Sequence, residues 1–181
     1  MEINSLDNFT KAMRADWGPL CSELVESSRL LLETLATSPT HEEWLSTLHK
    51  EASPYTELYR DPQHGFVLLS HTETAGLYRP PHDHGRAWVI YAVQQGEIEM
   101  GTYARVADPD GQVRLVKRNT TVVRPGQGMV YLPGDIHDTR CISGPALLFR
   151  FTERDLKKED KEEHRVTRYV EQNGIWTGGL P

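Results

Sequence analysis

The first fifty residues carry apolar side chains at the spacing of a helix. Four leucines form this pattern: Leu20, Leu24, Leu31 and Leu35. Ser38-Pro39 is expected to end that helix, because proline cannot continue its hydrogen bonds. Thr40, with Glu43 three residues later, has the pattern of a capping box and is expected to begin a second helix. We therefore predict a helical layer over residues 1–52 that packs on the rest of the chain.

From Tyr55 onward the pattern changes to short β-rich runs separated by turn residues. Eight runs are predicted to be strands: 66–69, 87–93, 98–106, 113–117, 120–123, 129–132, 137–141 and 146–151. This number is typical of a closed or double-sheet structure, so we predict a mainly β jelly-roll barrel over residues 55–152. Residues 153–181 are predicted to contain three parts. They are a charged segment that forms a solvated helix or loop, an edge strand at 165–170 and a tail. The whole chain, 1–181, is predicted to be a single domain.

The balance of charge narrows the range of partners. The chain has 20 Lys and Arg against 26 Asp and Glu, a formal net charge of −6, without a basic block that would bind nucleic acid. No apolar run reaches the ~20 residues of a membrane span, and the start lacks a signal-peptide pattern. We expect a cytoplasmic protein with Cys21 and Cys141 reduced, which binds a small molecule and neither nucleic acid nor membrane. The sequence is compatible with a homodimer.

Three histidines form the strongest chemical pattern in the chain. His82 and His84 stand one residue apart, so on a strand their rings share a face while Asp83 points away. His137 follows a Pro-Gly turn and is expected to begin a strand that a closed sheet brings beside this pair. Three neutral imidazoles suit Fe, Zn, Ni or Cu and leave positions for a substrate or dioxygen. The remaining histidines are predicted to be structural or surface residues: His41, His49, His64, His71 and His164.

The stretches around these histidines resemble the two motifs of the cupin superfamily. They are Gly76-Leu-Tyr-Arg-Pro-Pro-His82-Asp-His84 and Gly128-Met-Val-Tyr-Leu-Pro133-Gly134-Asp-Ile-His137. Over about residues 20–152 the chain is most similar to the cysteine dioxygenase-like group, the thiol dioxygenases. This resemblance implies that His82, His84 and His137 bind Fe(2+). Most cupins add a glutamate five positions after the second histidine, where this chain has Val89; the thiol dioxygenases also lack that glutamate.

The same resemblance suggests how the pocket is lined. Thiol dioxygenases carry a serine, a histidine and a tyrosine at alternate positions of the last strong strand. The aligned residues here are Leu147, Phe149 and Phe151, which implies a drier, more apolar pocket. The family also grips the substrate carboxylate with an arginine. Arg60 is the nearest analogue, unless it is a surface residue, and the other candidates are Arg79, Arg86 and Arg150. Tyr91 shares strand parity with Val89 and is expected either to line the site or to pack in the core.

These residues favour a non-haem Fe(II)-dependent dioxygenase that acts on a small anionic organic substrate and dioxygen. The resemblance implies that the substrate is a thiol, which is oxidised to its sulfinate. A carbon-cleaving dioxygenase of the diketone type is an alternative, since such cupins also use three histidines. A cupin that binds a metal or ligand without turnover is another, and a Zn or Ni isomerase or hydrolase is a third. Metal content measured together with dioxygen uptake separates these functions.

Overall fold

The structure, a computed structural model, describes residues 4–178. Residues 1–3 and 179–181, the ends of the predicted domain, lie outside the described residues. The helices are α1 (Ser5–Asp16), α2 (Ser22–Ala36) and α3 (Glu43–Glu51), followed later by a short π-helix (Lys158–Glu162). The strands are β1 (Thr56–Arg60), β2 (Val67–Glu73), β3 (Tyr78–His82), β4 (Val89–Ala107), β5 (Val113–Val123), β6 (Gly128–Tyr131), β7 (Ile136–Thr152), β8 (Tyr169–Gln172) and β9 (Ile175–Gly178).

Two long antiparallel strands, β4 and β7, hold the sheet together. They pair with each other twice, over residues 89–95 with 147–152 and over 97–103 with 136–143. Strands β2 and β6 flank the first stretch, whereas β3 and β5 flank the second. Register shifts between residues 93 and 98 bend both long strands, so that one continuous sheet curls around an interior. The prediction of a mainly β jelly roll with an N-terminal helical layer is confirmed.

Several strands are longer than the sequence pattern predicted. The runs 87–93 and 98–106 belong to β4, 113–117 and 120–123 belong to β5, and 137–141 and 146–151 belong to β7. The strands continue through these interruptions because the intervening residues form register shifts instead of chain reversals. The short strands β1 and β9 were not predicted.

Side chains alternate between a face covered by the helices and the interior of the curled sheet. On β7, Phe149 and Phe151 pack with the helices in one buried cluster, whereas Leu148 packs in the interior with Val89. The predicted inward face of Leu147, Phe149 and Phe151 is therefore wrong by one residue. Because successive side chains of a strand point to opposite faces, this slip exchanges the whole set. The interior residues of this strand are Ala146, Leu148 and Arg150.

The helical layer begins its elements at different residues from those predicted. Leu20 precedes α2 and is 49% exposed. The N-cap residue of α3 is Glu42 and not Thr40, so the expected capping box does not form. The Glu42 carboxylate instead accepts hydrogen bonds from the Ser5 amide at 3.1 Å and from the Trp44 indole at 2.6 Å. This contact ties α1 to the start of α3, a tertiary effect that outweighs the local pattern.

The segment after β7 packs on the loop that carries the second histidine. Glu159 of the π-helix is 1% exposed and accepts hydrogen bonds from the backbone and the guanidinium of Arg86, at 3.2 and 3.0 Å. The Thr167 amide donates to Asp83 at 2.8 Å. Gly85 has a φ of +62°, and a Cβ there would lie 2.8 Å from the Glu159 carboxylate. The segment is exposed or partly exposed, as expected, except for Glu159, which is buried against an arginine and fixes the segment to this loop.

The end of the described chain forms a hairpin of β8 and β9. β8 begins at Tyr169, within the predicted edge strand, and Trp176 on β9 packs against a small buried cluster of Leu115, Ile136 and Tyr169. Within residues 4–178, no helix has the length and apolar character that crossing a membrane requires.

Candidate metal centre

The structure brings His82, His84 and His137 into one cluster. One ring nitrogen from each lies within 4.8 Å of the other two. The ring centroids are 4.6 Å apart for His82 and His137, 4.9 Å for His84 and His137, and 5.2 Å for His82 and His84. Over the part of the chain that the structure describes, this cluster consists of imidazoles alone. The side chain of Val89 is apolar and fully buried.

Two different devices place these rings. His82 and His137 are direct cross-strand partners on β3 and β7, so the antiparallel register sets their approach. His84 lies just beyond the end of β3, in the turn toward β4. The two histidines of the pair therefore do not share one strand, contrary to the prediction, and the turn brings the second ring back to the first. Asp83 points the other way and holds the C-terminal segment.

The hydrogen bonding of the rings fits a divalent transition metal. The Pro80 carbonyl lies 2.8 Å from Nδ1 of His82 and can only accept, so Nδ1 carries the proton and Nε2 keeps its lone pair. His137 is 0% exposed, and neither of its ring nitrogens has a partner within residues 4–178. Such orphaned buried nitrogens are rare unless something binds them. Burial lowers the pKa of all three histidines, so the rings are held in the neutral form that ligates metals.

An aromatic ring, not a carboxylate, orients His137. The Tyr131 ring stacks on it with a centroid distance of 3.8 Å and an interplanar angle of 14°. Asp138, the next residue, faces away and accepts hydrogen bonds from the Gly101 amide at 2.8 Å and the Tyr103 hydroxyl at 2.5 Å. The position of His137 therefore depends on packing in the interior of the sheet.

The cluster opens onto a cavity of about 620 Å³. Its walls come from β2, β3, β4 and β7, and the segment after β7 completes it. Tyr91, Leu148 and Arg150 are among the lining residues, so an apolar wall stands beside a guanidinium. The pocket is less apolar than the sequence predicted, because the true register of β7 directs Arg150 inward in place of Phe149 and Phe151.

Tyr91 lines this cavity and also packs in the interior cluster. Its hydroxyl lies 3.3 Å from Nε2 of His84, and Arg150 is its direct cross-strand partner on β7. Burial raises the pKa of Tyr91, so its phenol stays protonated and is a hydrogen-bond donor beside the cluster. Both sequence expectations for this residue therefore describe parts of one arrangement.

Arg60 lies outside the lining of the cavity. Its guanidinium is engaged by Glu57 and by Asp155, each at 2.8 Å, on the surface of β1. Arg86 is turned to the C-terminal segment. These ion pairs engage both guanidinium groups away from the cavity, which Arg150 lines and Arg60 does not.

Arg150 lines the cavity beside the histidine cluster and has no carboxylate partner within residues 4–178. Its Nε is buried and makes no hydrogen bond within residues 4–178, and no carboxylate in that range lies within 4.0 Å of it. The sequence analysis named Arg150 among the candidates but placed Arg60 first, because Arg60 lies a few residues after Tyr55 at the edge of a predicted strand. Leu148 and Arg150 are two residues apart on β7 and therefore share a face. Arg150 is thus a charged residue on an otherwise apolar face, and this pattern is the signal that could have identified it.

His71 is a further cavity residue that the sequence assigned to a structural or surface role. It lies on β2 opposite Leu148, is 9% exposed, and its Nε2 has no partner in the described range. Burial, and then the positive charges of Arg150 and Arg79, lower the pKa of His71 to about 3. No motif marks this residue, because its position depends on the pairing of β2 with β7.

The titration of His71 should be measurable as acid sensitivity. The unfolded chain binds a proton at His71 near pH 6.5 and the folded chain near pH 3, so stability contributed by the neutral ring is lost as pH falls through this window. From pH 7 to pH 5, the wild-type free energy of unfolding should fall by about 2 kcal/mol more than that of His71→Gln. Denaturant unfolding of metal-free protein measures this difference. The exposed His41, changed to Gln, is the control; equal pH dependence of wild type and His71→Gln would contradict the burial of a neutral ring.

Together the fold and the cluster define a jelly-roll barrel with a candidate three-histidine metal site. No protein-family model matches the sequence, and no curated protein matches it. Among solved structures, the cupin domain of Cnp3 from Schizosaccharomyces pombe is 14% identical, with a TM-score of 0.44, over 60% of this chain and 69% of that one. KdgF from a Halomonas species is 19% identical, with a TM-score of 0.42, over 54% and 74%. Oxalate oxidase in complex with glycolate is 24% identical, with a TM-score of 0.41, over 56% of this chain and 50% of that one.

Proposed function

We propose that this chain is a metal-dependent enzyme of the cupin superfamily, a non-haem Fe(II) dioxygenase of the thiol dioxygenase kind. The observation that carries the proposal is the cluster of His82, His84 and His137. His82 and His84 line an open cavity, and both ring nitrogens of His137 lack a partner within residues 4–178. A ferrous ion held by these neutral ligands would keep its full charge and activate an anionic substrate and dioxygen side by side. The reaction, RSH + O2 giving RSO2H, needs no external reductant, since both oxygen atoms go to sulfur.

The residues of the cavity have distinct roles in this proposal. Arg150 holds an anionic group of the substrate, because a partly buried guanidinium without a carboxylate partner needs one. Tyr91, protonated and 3.3 Å from His84, donates a hydrogen bond to groups that bind beside the cluster. Leu148 excludes water from that wall. The arrangement positions a small anion against three imidazoles.

A carbon-cleaving dioxygenase of the diketone type is the second candidate. It is favoured by the interior residues of β7, Ala146, Leu148 and Arg150, which supply no serine, histidine and tyrosine series. An enolate, like a thiolate, is an anion that a cationic site stabilises. The imidazole of His71 and the phenol of Tyr91 come from neighbouring strands, so hydrogen-bonding groups are still present in the cavity.

Metal analysis paired with an oxygen electrode tests the proposed function. Protein purified from cells should contain about one iron per chain and should consume dioxygen when 3-mercaptopropionate, a thiol with a carboxylate, is added, with the sulfinate as product. Uptake with acetylacetone instead, and carboxylic acid products, would favour the second candidate. Iron without uptake on either panel would indicate a binding cupin, and zinc or nickel as the resident metal would refute both dioxygenase proposals.

A further inference from the structure

The lining of the cavity is strongly cationic in a chain that is acidic. Five of its side chains are basic, Arg79, Arg150, Lys157, Lys161 and Arg168, and two are acidic, Glu73 and Asp160. The cavity therefore has an excess of three positive charges with its histidines neutral, whereas the chain has a formal net charge of −6. Concentrated charge of one sign in a cleft attracts ligands of the opposite sign. The natural ligand of this cavity must supply negative charge.

Two of these five cations are already neutralised. Arg79 pairs with Glu73 at 2.9 Å, and Arg168 grips Asp160 with two hydrogen bonds of 2.7 Å. The other three, Arg150, Lys157 and Lys161, make no ion pair within 4.0 Å in the range 4–178. They stand at two levels, since Arg150 is partly buried on β7, whereas Lys157 and Lys161 are exposed on the segment that completes the cavity.

Buried polar atoms without partners occur together at the same cavity. Within the described residues these are Nε of Arg150, Nε2 of His71, Oε2 of Glu73 and the hydroxyl of Tyr169. Native proteins rarely leave such atoms unsatisfied, and a bound ligand is one common explanation. Two of the four, Nε of Arg150 and the hydroxyl of Tyr169, can donate a hydrogen bond. A carboxylate accepts such hydrogen bonds and also neutralises the charge of Arg150.

We infer that the cavity selects small organic acids with two anionic groups, a carboxylate held at Arg150 and a second anion held by Lys157 and Lys161. This inference rests on the proposed function, because it names the substrate class of the same site. The C-terminal segment carries both lysines. Its contacts with Asp83 and Arg86, the latter through Glu159, fix it to the loop of His84 and so hold the lysines at the cavity. A monoanion would pair with Arg150 and would form no ion pair with the two lysines.

Ligand binding to metal-free protein tests this inference without any turnover. Succinate is the dianionic probe and propionate the monoanionic one, each titrated calorimetrically after metal removal. Succinate should bind at least about tenfold more tightly than propionate. The double variant Lys157→Gln/Lys161→Gln should reduce succinate binding to the level of propionate while changing propionate less than about twofold. Lys158→Gln is the matched control, because this exposed lysine of the same π-helix does not line the cavity.

Arg150 provides the second arm of the test. Arg150→Gln should weaken succinate and propionate alike, by about tenfold, and Arg150→Lys should restore part of the loss because it keeps the charge. Equal affinity for the two probes, or a double lysine variant that binds succinate as wild type does, would overturn the inference. Because these measurements need neither metal nor dioxygen, their failure is distinct from a failure of the dioxygenase proposal, which metal content and oxygen uptake decide.

Discussion

Replacing His82, His84 or His137 with alanine should remove most of the bound metal. Each substitution deletes one of three donors and leaves two, so metal affinity should fall at least about 100-fold, more than is lost when an outer hydrogen bond to a ligand is removed. The cluster offers no replacement, since the structure places only imidazoles within 4.8 Å of one another there. Metal content of the purified variants, and competition with a chromophoric chelator, measure the loss.

His71→Gln is the matched control for these substitutions. His71 lines the same cavity and is also buried, yet it is outside the cluster of three. Its variant should therefore keep the wild-type metal content. If one of the three alanine variants retained wild-type affinity, or if His71→Gln lost the metal as they do, the assignment of the ligands would be wrong.

The sequence was sufficient to find the three histidines because their signal is local. A His-x-His pair and a histidine after a Pro-Gly turn are visible without any knowledge of pairing. Their approach depends on something less local, the cross-strand register that sets His82 opposite His137. The jelly-roll prediction implied that the three histidines lie close together but did not give the register that pairs them. The path of His84 through a turn shows that the strand rule alone did not describe the pair.

The rest of the cavity could not be predicted because it depends on register and on distant packing. A strand that reads Ala-Leu-Leu-Phe-Arg-Phe is apolar on both faces apart from Arg150, so its pattern favours the wrong choice, with the arginine turned outward. The predicted register placed Phe149 and Phe151 at the pocket, whereas in the structure Leu148 and Arg150 line it. His71 depends on the pairing of β2 with β7, and Lys157 and Lys161 depend on the burial of Glu159 against Arg86. None of these contacts has a short-range signature.

Phe151→Ala should destabilise the protein strongly and leave the cavity unchanged. The Phe151 ring is fully buried on the helix-covered face, with centroids 5.4 Å from Trp88, 5.5 Å from Phe66 and 6.3 Å from Phe9. Removing it leaves a void between sheet and helices, so the free energy of unfolding should fall by about 3–5 kcal/mol. Denaturant unfolding measures the loss, and Phe151→Leu provides a milder variant if the alanine variant does not fold.

Substitution of the neighbouring residue, Arg150, should affect anion binding and not stability. Comparing variants of Phe151 and Arg150 therefore tests the register of β7. Arg150→Gln removes a cation that has no carboxylate partner within residues 4–178, so it should not lower the free energy of unfolding. Relief of charge beside the cluster should keep or raise metal affinity. Its cost should appear in anion binding, whereas folded Phe151→Leu should bind propionate and metal as wild type does. If Phe151→Leu altered propionate binding and Arg150→Gln did not, the phenylalanines would line the pocket, and the face of β7 that points inward would be the one that the sequence pattern first suggested.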